Sequence, residues 1–316
     1  MNKLLNLLIF LFLNSLLIGT SFAGDSTCLK NADGEIITVS GNSATPVGTL
    51  EDSTTDQCND TPDEYQLRFH MMGLCTSDPS LLDFTGCEYM LKPIDTPIVH
   101  TVTFPASGNL AIPPFSIKPG TYKYMVAILS NKLGIKHTIT TTNTVTGASS
   151  SSGKTCWTSN AGPSGVANDA EDTPHGTTVA GGTQMITCGD ADDADPAFSY
   201  EIINNLSNRD CDTNNNNSVN PYAASGDLSD MGAVGNGNGT GSLLQSNSAF
   251  ATDCEDADRL LWTIELATPL KVTPTSSFNL QMRTVDSVSV DFSGSSDTNI
   301  IKMGADPIQS YLEVSN

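Results

Sequence analysis

Residues 121–129, Thr-Tyr-Lys-Tyr-Met-Val-Ala-Ile-Leu, place Tyr122, Tyr124, Val126 and Ile128 on one side of an extended chain and Met125, Ala127 and Leu129 on the other. A strand that is apolar on both sides must be covered on both sides, so this stretch belongs in the middle of a sheet. Pro119-Gly120 sets the turn before it, because Pro presets φ and Gly accepts φ > 0. A second stretch, 65–74, alternates: Tyr65, Leu67, Phe69 and Met71 against Gln66, Arg68 and His70. Period two marks a strand with one buried and one wet face. The expected fold class is therefore mostly β, an antiparallel β-sandwich of the transthyretin- or immunoglobulin-like kind.

The remaining pattern fits that expectation. Further strands are expected at 36–40, 87–91, 98–104, 133–145, 259–267, 278–284, 287–292, 300–303 and 308–314. Ser77-Asp78-Pro79 reads as a helix start leading into one helical turn with Leu81, Leu82 and Phe84. Residues 109–117 are extended and broken by Pro, as at a sheet edge. Gly134 suggests a bulge. Composition changes at residue 147. The stretch 147–258 is rich in Gly, Ser, Asn and Asp and holds 16 acidic but two basic residues. It reads as a long, loop-rich acidic insertion, with short β-like runs at 177–188 and 198–206 and a flexible Gly/Asn loop at 235–241. The expected organisation is a leader at 1–23, the first part of a sandwich at 24–146, the insertion at 147–258 and closing strands at 259–316.

Compartment follows from the N-terminus and the cysteines. Met-Asn-Lys, an apolar run over 4–19 and then Ser21-Phe22-Ala23 have the layout of a secretory signal peptide. The apolar run is short for a membrane span of ~20 residues, so no span is expected after cleavage. The chain has eight cysteines, Cys28, Cys58, Cys75, Cys87, Cys156, Cys188, Cys211 and Cys254. An even number in an exported chain implies disulfides. The simplest arrangement joins sequence neighbours, and Cys75–Cys87 is the clearest pair because it ties one strand end to the next strand start. Cys-x-x-Cys does not occur, which argues against zinc. A net charge of −21 argues against nucleic acid and anionic membrane surfaces as partners.

Residues 58–130 contain Cys-Asn-Asp-Thr-Pro-Asp-Glu-Tyr, Gly-Leu-Cys-Thr-Ser-Asp-Pro, Cys87 and Pro-Gly-Thr-Tyr leading into a Tyr-rich strand. In this segment the chain resembles uncharacterised exported β-sandwich proteins of marine bacteria. The resemblance implies export and says little about activity.

Chemistry is sparse. His70, His100, His137 and His175 stand beside no evident nucleophile or metal spacing, and Gly-x-Ser-x-Gly, His-Glu-x-x-His and phosphate-binding Gly loops do not occur. One cofactor is suggested. Asp212, Asn214, Asn216, Ser218 and Asn220 put oxygen side chains at alternate positions, with Asp210 nearby, as a weak Ca²⁺ loop would. Asn217 stands where Gly is wanted and Ala223 where a carboxylate is wanted. Asp190, Asp192, Asp193 and Asp195 form a second oxygen-rich run. The expected function is that of a secreted, non-catalytic cell-surface or extracellular binding or structural protein, its partner a glycan or a protein. Two alternatives are an extracellular glycan hydrolase using paired carboxylates and a fibre subunit assembling by strand addition.

Overall fold

The computed structural model describes residues 27–38, 57–104, 110, 112–147, 151–159, 186–203, 229–234, 237–251, 256–292, 301–306 and 308–315. In chain order the strands are β1 (Gln57–Asp60), β2 (Glu64–Cys75), β3 (Cys87–Leu91), β4 (Ile98–Thr103), β5 (Gly120–Ser130), β6 (Lys132–Lys136), β7 (Thr138–Thr146), β8 (Ser152–Thr158) and β9 (Ile186–Gly189). There follow β10 (Ser199–Ile202), β11 (Ser229–Val234), β12 (Gly237–Leu244), β13 (Arg259–Val272), β14 (Ser277–Arg283), β15 (Val288–Phe292), β16 (Ile301–Ala305) and β17 (Gln309–Ser315).

The largest sheet runs β10–β6–β2–β5–β13–β12–β11. β2 is long enough to take two partners along each edge. β4 and then β3 follow one edge, and β6 and then β5 follow the other. All these pairings are antiparallel. β5 stands between β2 and β13 with both faces buried. Met125, Ala127 and Leu129 join one apolar cluster with Trp262, Ile264 and Leu312. Val126 and Ile128 join another with Met71, Leu244 and Leu261, capped by the half-buried Leu82, Phe84 and Phe250. The first cluster is the sandwich interior. Opposite the large sheet it holds Val288 and Val290 of β15, Ile301 and Met303 of β16, and Leu312 of β17. These come from a three-stranded sheet, β1–β15–β16, and a two-stranded ribbon, β14–β17. Tyr65 crosses between layers, its Oη donating to the Asp306 carbonyl at 2.9 Å. The architecture is an antiparallel β-sandwich, with β7–β8–β9 as a further small sheet.

Among the described residues three disulfides tie the strands. Cys28–Cys58 fastens the N-terminal segment to β1, Cys75–Cys87 joins β2 to β3, and Cys156–Cys188 joins β8 to β9. The last two link residues directly opposite in register, where neighbouring strands already hold the Cα atoms 4.0 and 4.1 Å apart. In the chain-entropy account, a cross-link closing a loop as short as that of Cys75–Cys87 contributes about 3 kcal/mol. Cys211 and Cys254 lie outside the described residues.

Several local expectations change. The alternation of β2 breaks at His70, where the register with β5 shifts between Phe69 and Met71. An extra residue in one strand moves every later side chain to the opposite face. Met71 therefore leaves the side of Phe69 for the cluster around Val126, and Met72 takes its place. His70 stays anchored: the Ile94 amide donates to its carbonyl, and its Nδ1 lies 3.0 Å from the Ile94 carbonyl oxygen. Tyr122 also joins the cluster of Met125 rather than that of Val126, and its Oη donates to the Lys118 carbonyl at 2.7 Å. The helical turn after Ser77 does not form. The Asp78 carboxylate accepts from the Ser80 amide, one turn closes from Leu82 N–H to the Pro79 carbonyl, and Leu82 at φ 64° ends it. Gly134 marks a close approach instead of a bulge. A Cβ there would meet the Tyr200 ring at 2.8 Å, and that ring is flanked by Arg68 and Lys132 at 4.7 and 4.6 Å.

The stretch 147–258 supplies β8 to β12, so its described parts include five strands of the sheets. The expected flexible loop at 235–241 is replaced from Gly237 by β12, paired with β13 over its whole length. Backbone ladders do not require apolar side chains, and a Cβ at Gly237 would collide with the Glu265 carbonyl of β13. Small residues are there because the two backbones pass so close.

Gly73 tests the same effect in β2. A Cβ there would stand 2.9 Å from the Glu88 carbonyl oxygen of β3, which is backbone and held by the adjacent Cys75–Cys87 bridge. Gly73→Ala is expected to destabilise the fold by about 1–3 kcal/mol, through forced separation of β2 and β3. Urea titration measures it; an unchanged midpoint would mean that the two strands can move apart freely.

Candidate functional site

Two places in the sandwich gather side chains with something to do. The first is a groove where the layers part. Its roof is Phe278 and Leu280 of β14 with Leu312 of β17, and its floor is Met72 of β2 and Met90 of β3. Leu110, Ile112 and Phe115 form the wall, and Asn279 of β14 is the one polar residue of the lining. The volume is about 240 Å³.

The local sequence explains why the groove stays open. β14 alternates, with Phe278, Leu280 and Met282 half-buried toward the large sheet and Ser277, Asn279, Gln281 and Arg283 exposed. Leu280 sits opposite Leu312 in the ribbon. The segment 112–118 approaches from the side but is not a strand, because Pro113 and Pro114 have no N–H to offer a ladder. It touches β14 through rings instead: Phe115 and Phe278 meet at 5.6 Å between centroids, tilted by 53°. Behind Met72 and Leu280, which line both spaces, a second cavity of about 20 Å³ lies against Trp262 and Met282. It is no larger than a water molecule needs. None of the residues lining the groove is ionisable, so it is suited to take an apolar group and not to move protons.

The second place is a charge cluster at the meeting of β1, β6 and β7, buried at His137 and Asp60 and open to solvent at Lys30 and Asp63. His137, between β6 and β7, has its Nε2 3.3 Å from Asp60 Oδ2 and its Nδ1 3.7 Å from Asp63 Oδ2. The first is a hydrogen bond and the second an ion-pair distance. Lys30 closes the chain of charges, its Nζ donating to Asp60 Oδ1 at 2.8 Å. Burial by itself pushes the Asp60 carboxyl up, but the hydrogen bonds and charges of His137 and Lys30 outweigh it and hold the group at about 2. Burial likewise pushes His137 down, and Asp60 first and Asp63 second raise it above its ordinary 6.5. The two carboxylates thus favour the charged form of the His137 ring.

Asp60, Asp63 and His137 make further hydrogen bonds that fix them in place. The Asp60 carboxylate accepts from the Thr61 amide, and the Asp63 carboxylate accepts from the Thr138 amide. The His137 amide donates to Thr158 Oγ1, which in turn donates to the Ala197 carbonyl. These bonds join four separate stretches of chain, so the cluster acts as a clasp. His70 and His100 are buried, and burial lowers both.

The residues singled out for Ca²⁺, Asp210, Asp212, Asn214, Asn216 and Asn220, lie outside the described residues, as does His175. Asp190, Asp192, Asp193 and Asp195 are exposed, three of them on a 3₁₀ turn and its cap. Among the described residues, no group of three or more His, Cys, Asp or Glu is placed to hold a metal ion.

Neither the groove nor the clasp is apparent in the linear pattern, but the clasp left a trace. Lys30 and Asp60 each stand two residues after a cysteine of the same disulfide. A bridge between Cys28 and Cys58 therefore brings that lysine and that aspartate together. The groove left no comparable trace, because its walls come from five separate parts of the chain. In comparisons with protein-family models, curated proteins and solved structures, nothing matches the chain.

Proposed function

We propose that the protein is exported and non-catalytic, a binding protein of the cell surface or extracellular space whose contact site is the groove between β14 and the large sheet. The observation that carries this is a mostly apolar recess of about 240 Å³ between the layers, lined by Met, Leu, Ile and Phe with one Asn. Such a recess is the usual place for a ligand's apolar part. Met72 and Met90 on its floor have flexible, polarizable side chains that adapt to different shapes. Three disulfides support an oxidising compartment.

The test uses isotope-labelled methionine methyl groups, two of the nine methionines being on the groove floor. Titration with a neutral naphthalene-sized compound is expected to shift the Met72 and Met90 methyl signals and leave Met303, on β16, in place. Ile112→Trp, which fills the groove, should abolish the shifts. If the floor methyls stay still up to the solubility limit, the groove is not a binding site.

A further inference from the structure

We infer that the occupant of the groove is an extended basic segment of another protein, which adds as a strand to β14 and puts one large apolar side chain into the recess. The inference rests on the groove being a binding site and names what enters it.

β14 is a sheet edge. It pairs with β17 in unbroken register from Ser277 opposite Ser315 to Arg283 opposite Gln309, and no described strand lies along its other side. Along an antiparallel strand, half of the backbone N–H and C=O groups point away from the one partner present. Those groups are a template for a further strand. Edges of this kind are ordinarily blunted by Pro, inward charges or bulges. β14 has no Pro, no bulge against β17, and its inward side chains are Phe278, Leu280 and Met282.

The seam beside it is unsealed. Among the described residues no backbone hydrogen bond joins the segment 112–118 to β14. Among the described residues the layer over the large sheet here is two strands wide, and the inward side chains of β14 are only partly buried. A third strand would supply both the missing hydrogen bonds and the missing cover. Strand addition combines main-chain bonds for affinity with side-chain pockets for specificity. The recess has the size of one such pocket: cavities of about 150 Å³ hold a benzene ring, and this one, at about 240 Å³, suits a Phe, Tyr or long aliphatic side chain.

Charge decides whose strand it is. The chain carries a net −21, so a second copy is repelled and a basic segment is drawn in. On the exposed face of the ribbon Glu313 accepts from Asn279 and Gln281 at 3.3 Å each, and Arg283 stands at the far end of β14, so the pull on a basic segment comes from the net charge of the chain. The C-terminal strand β17 is itself paired with β14 and is not spare for donation to a neighbour. Net charge thus favours a basic segment of a different protein over a second copy.

The probe is a set of synthetic nonapeptides, Lys-flanked, with Thr at alternate positions and every combination of Phe, Tyr, Leu, Ile, Val and Met between them. They are titrated into the full chain with methionine methyl signals and β14 amide exchange as readouts. The best binders are expected to shift Met72 and Met90 and to protect β14 amides. Methylating alternate backbone nitrogens on the pairing edge, or replacing the largest side chain by Ala, should each weaken binding at least about tenfold. Raising NaCl should weaken it further. Equal binding by the methylated peptides overturns strand addition. So does failure of the whole set while the naphthalene-sized compound still binds, which leaves a small-molecule groove. If both fail, the proposed function falls as well.

Discussion

Val126→Asp is expected to lower stability by more than about 4 kcal/mol, enough to leave most of the chain unfolded at room temperature. Val126 is 0% exposed in the middle of β5, between β2 and β13. Its neighbours Met71, Cys75, Ile128 and Leu261 are apolar, and Thr263, opposite it in β13, offers at most a hydroxyl and no counter-charge to a carboxylate. An aspartate there must either ionise without a partner or stay protonated at a cost that grows with pH. Val126→Ala keeps the site apolar and should cost about 2 kcal/mol, the contribution of the lost methyl groups. Thermal melts of the two variants separate charge from volume. A melting temperature for Val126→Asp equal to that of Val126→Ala would place this strand at the surface.

Asp60→Ala should cost about 3 kcal/mol at mildly acidic pH, because it strips a buried imidazolium of its closest carboxylate and frees Lys30. The pH dependence identifies the cause. Asp60 titrates at about 2 folded against 3.8 unfolded, so its contribution, about 2 kcal/mol, is present above pH 3.8 and lost as pH falls toward 2. His137 is raised above 6.5 in the fold, so its contribution is complete below pH 6.5 and is lost as pH rises through the raised value. The gap between wild type and Asp60→Ala should therefore be widest between pH 3.8 and 6.5 and narrow on both sides. Urea midpoints measured from about pH 3 to about pH 9 trace it. A gap of constant size would assign the effect to packing and not to the ion pair.

The clasp and the disulfide above it form one device. Cys28–Cys58 holds the N-terminal segment against β1, and the Lys30–Asp60–His137 chain carries the attachment on to β7. Ile36 continues it through backbone bonds with Thr140 and Thr142. A segment with few apolar residues is thereby held by one covalent bond and several polar ones.

Local pattern determined the fold class, the strand at the centre and its neighbours. Alternation in 65–69, the two-sided apolar run of 121–129 and the returning pattern at 259 are short-range properties that burial alone can read. They led to β2, β5 and β13, which do stand side by side. The two cross-strand disulfides also follow short-range logic, since the partners lie in strands that pair directly. Register and close approach were decided by tertiary structure. The bulge at His70 moves Met71 and Met72 between clusters, and nothing in the residues themselves marks it. The Gly-rich run that becomes β12 has no apolar period; its place depends on the backbone of β13 passing within reach of Gly237. The groove is further still from the linear sequence. It exists because Pro113 and Pro114 cannot complete a ladder beside β14 and because Phe115 reaches Phe278 from another part of the chain. Side-chain periodicity records which face of a strand is buried; what lies against that face is set by contacts between residues far apart in the chain.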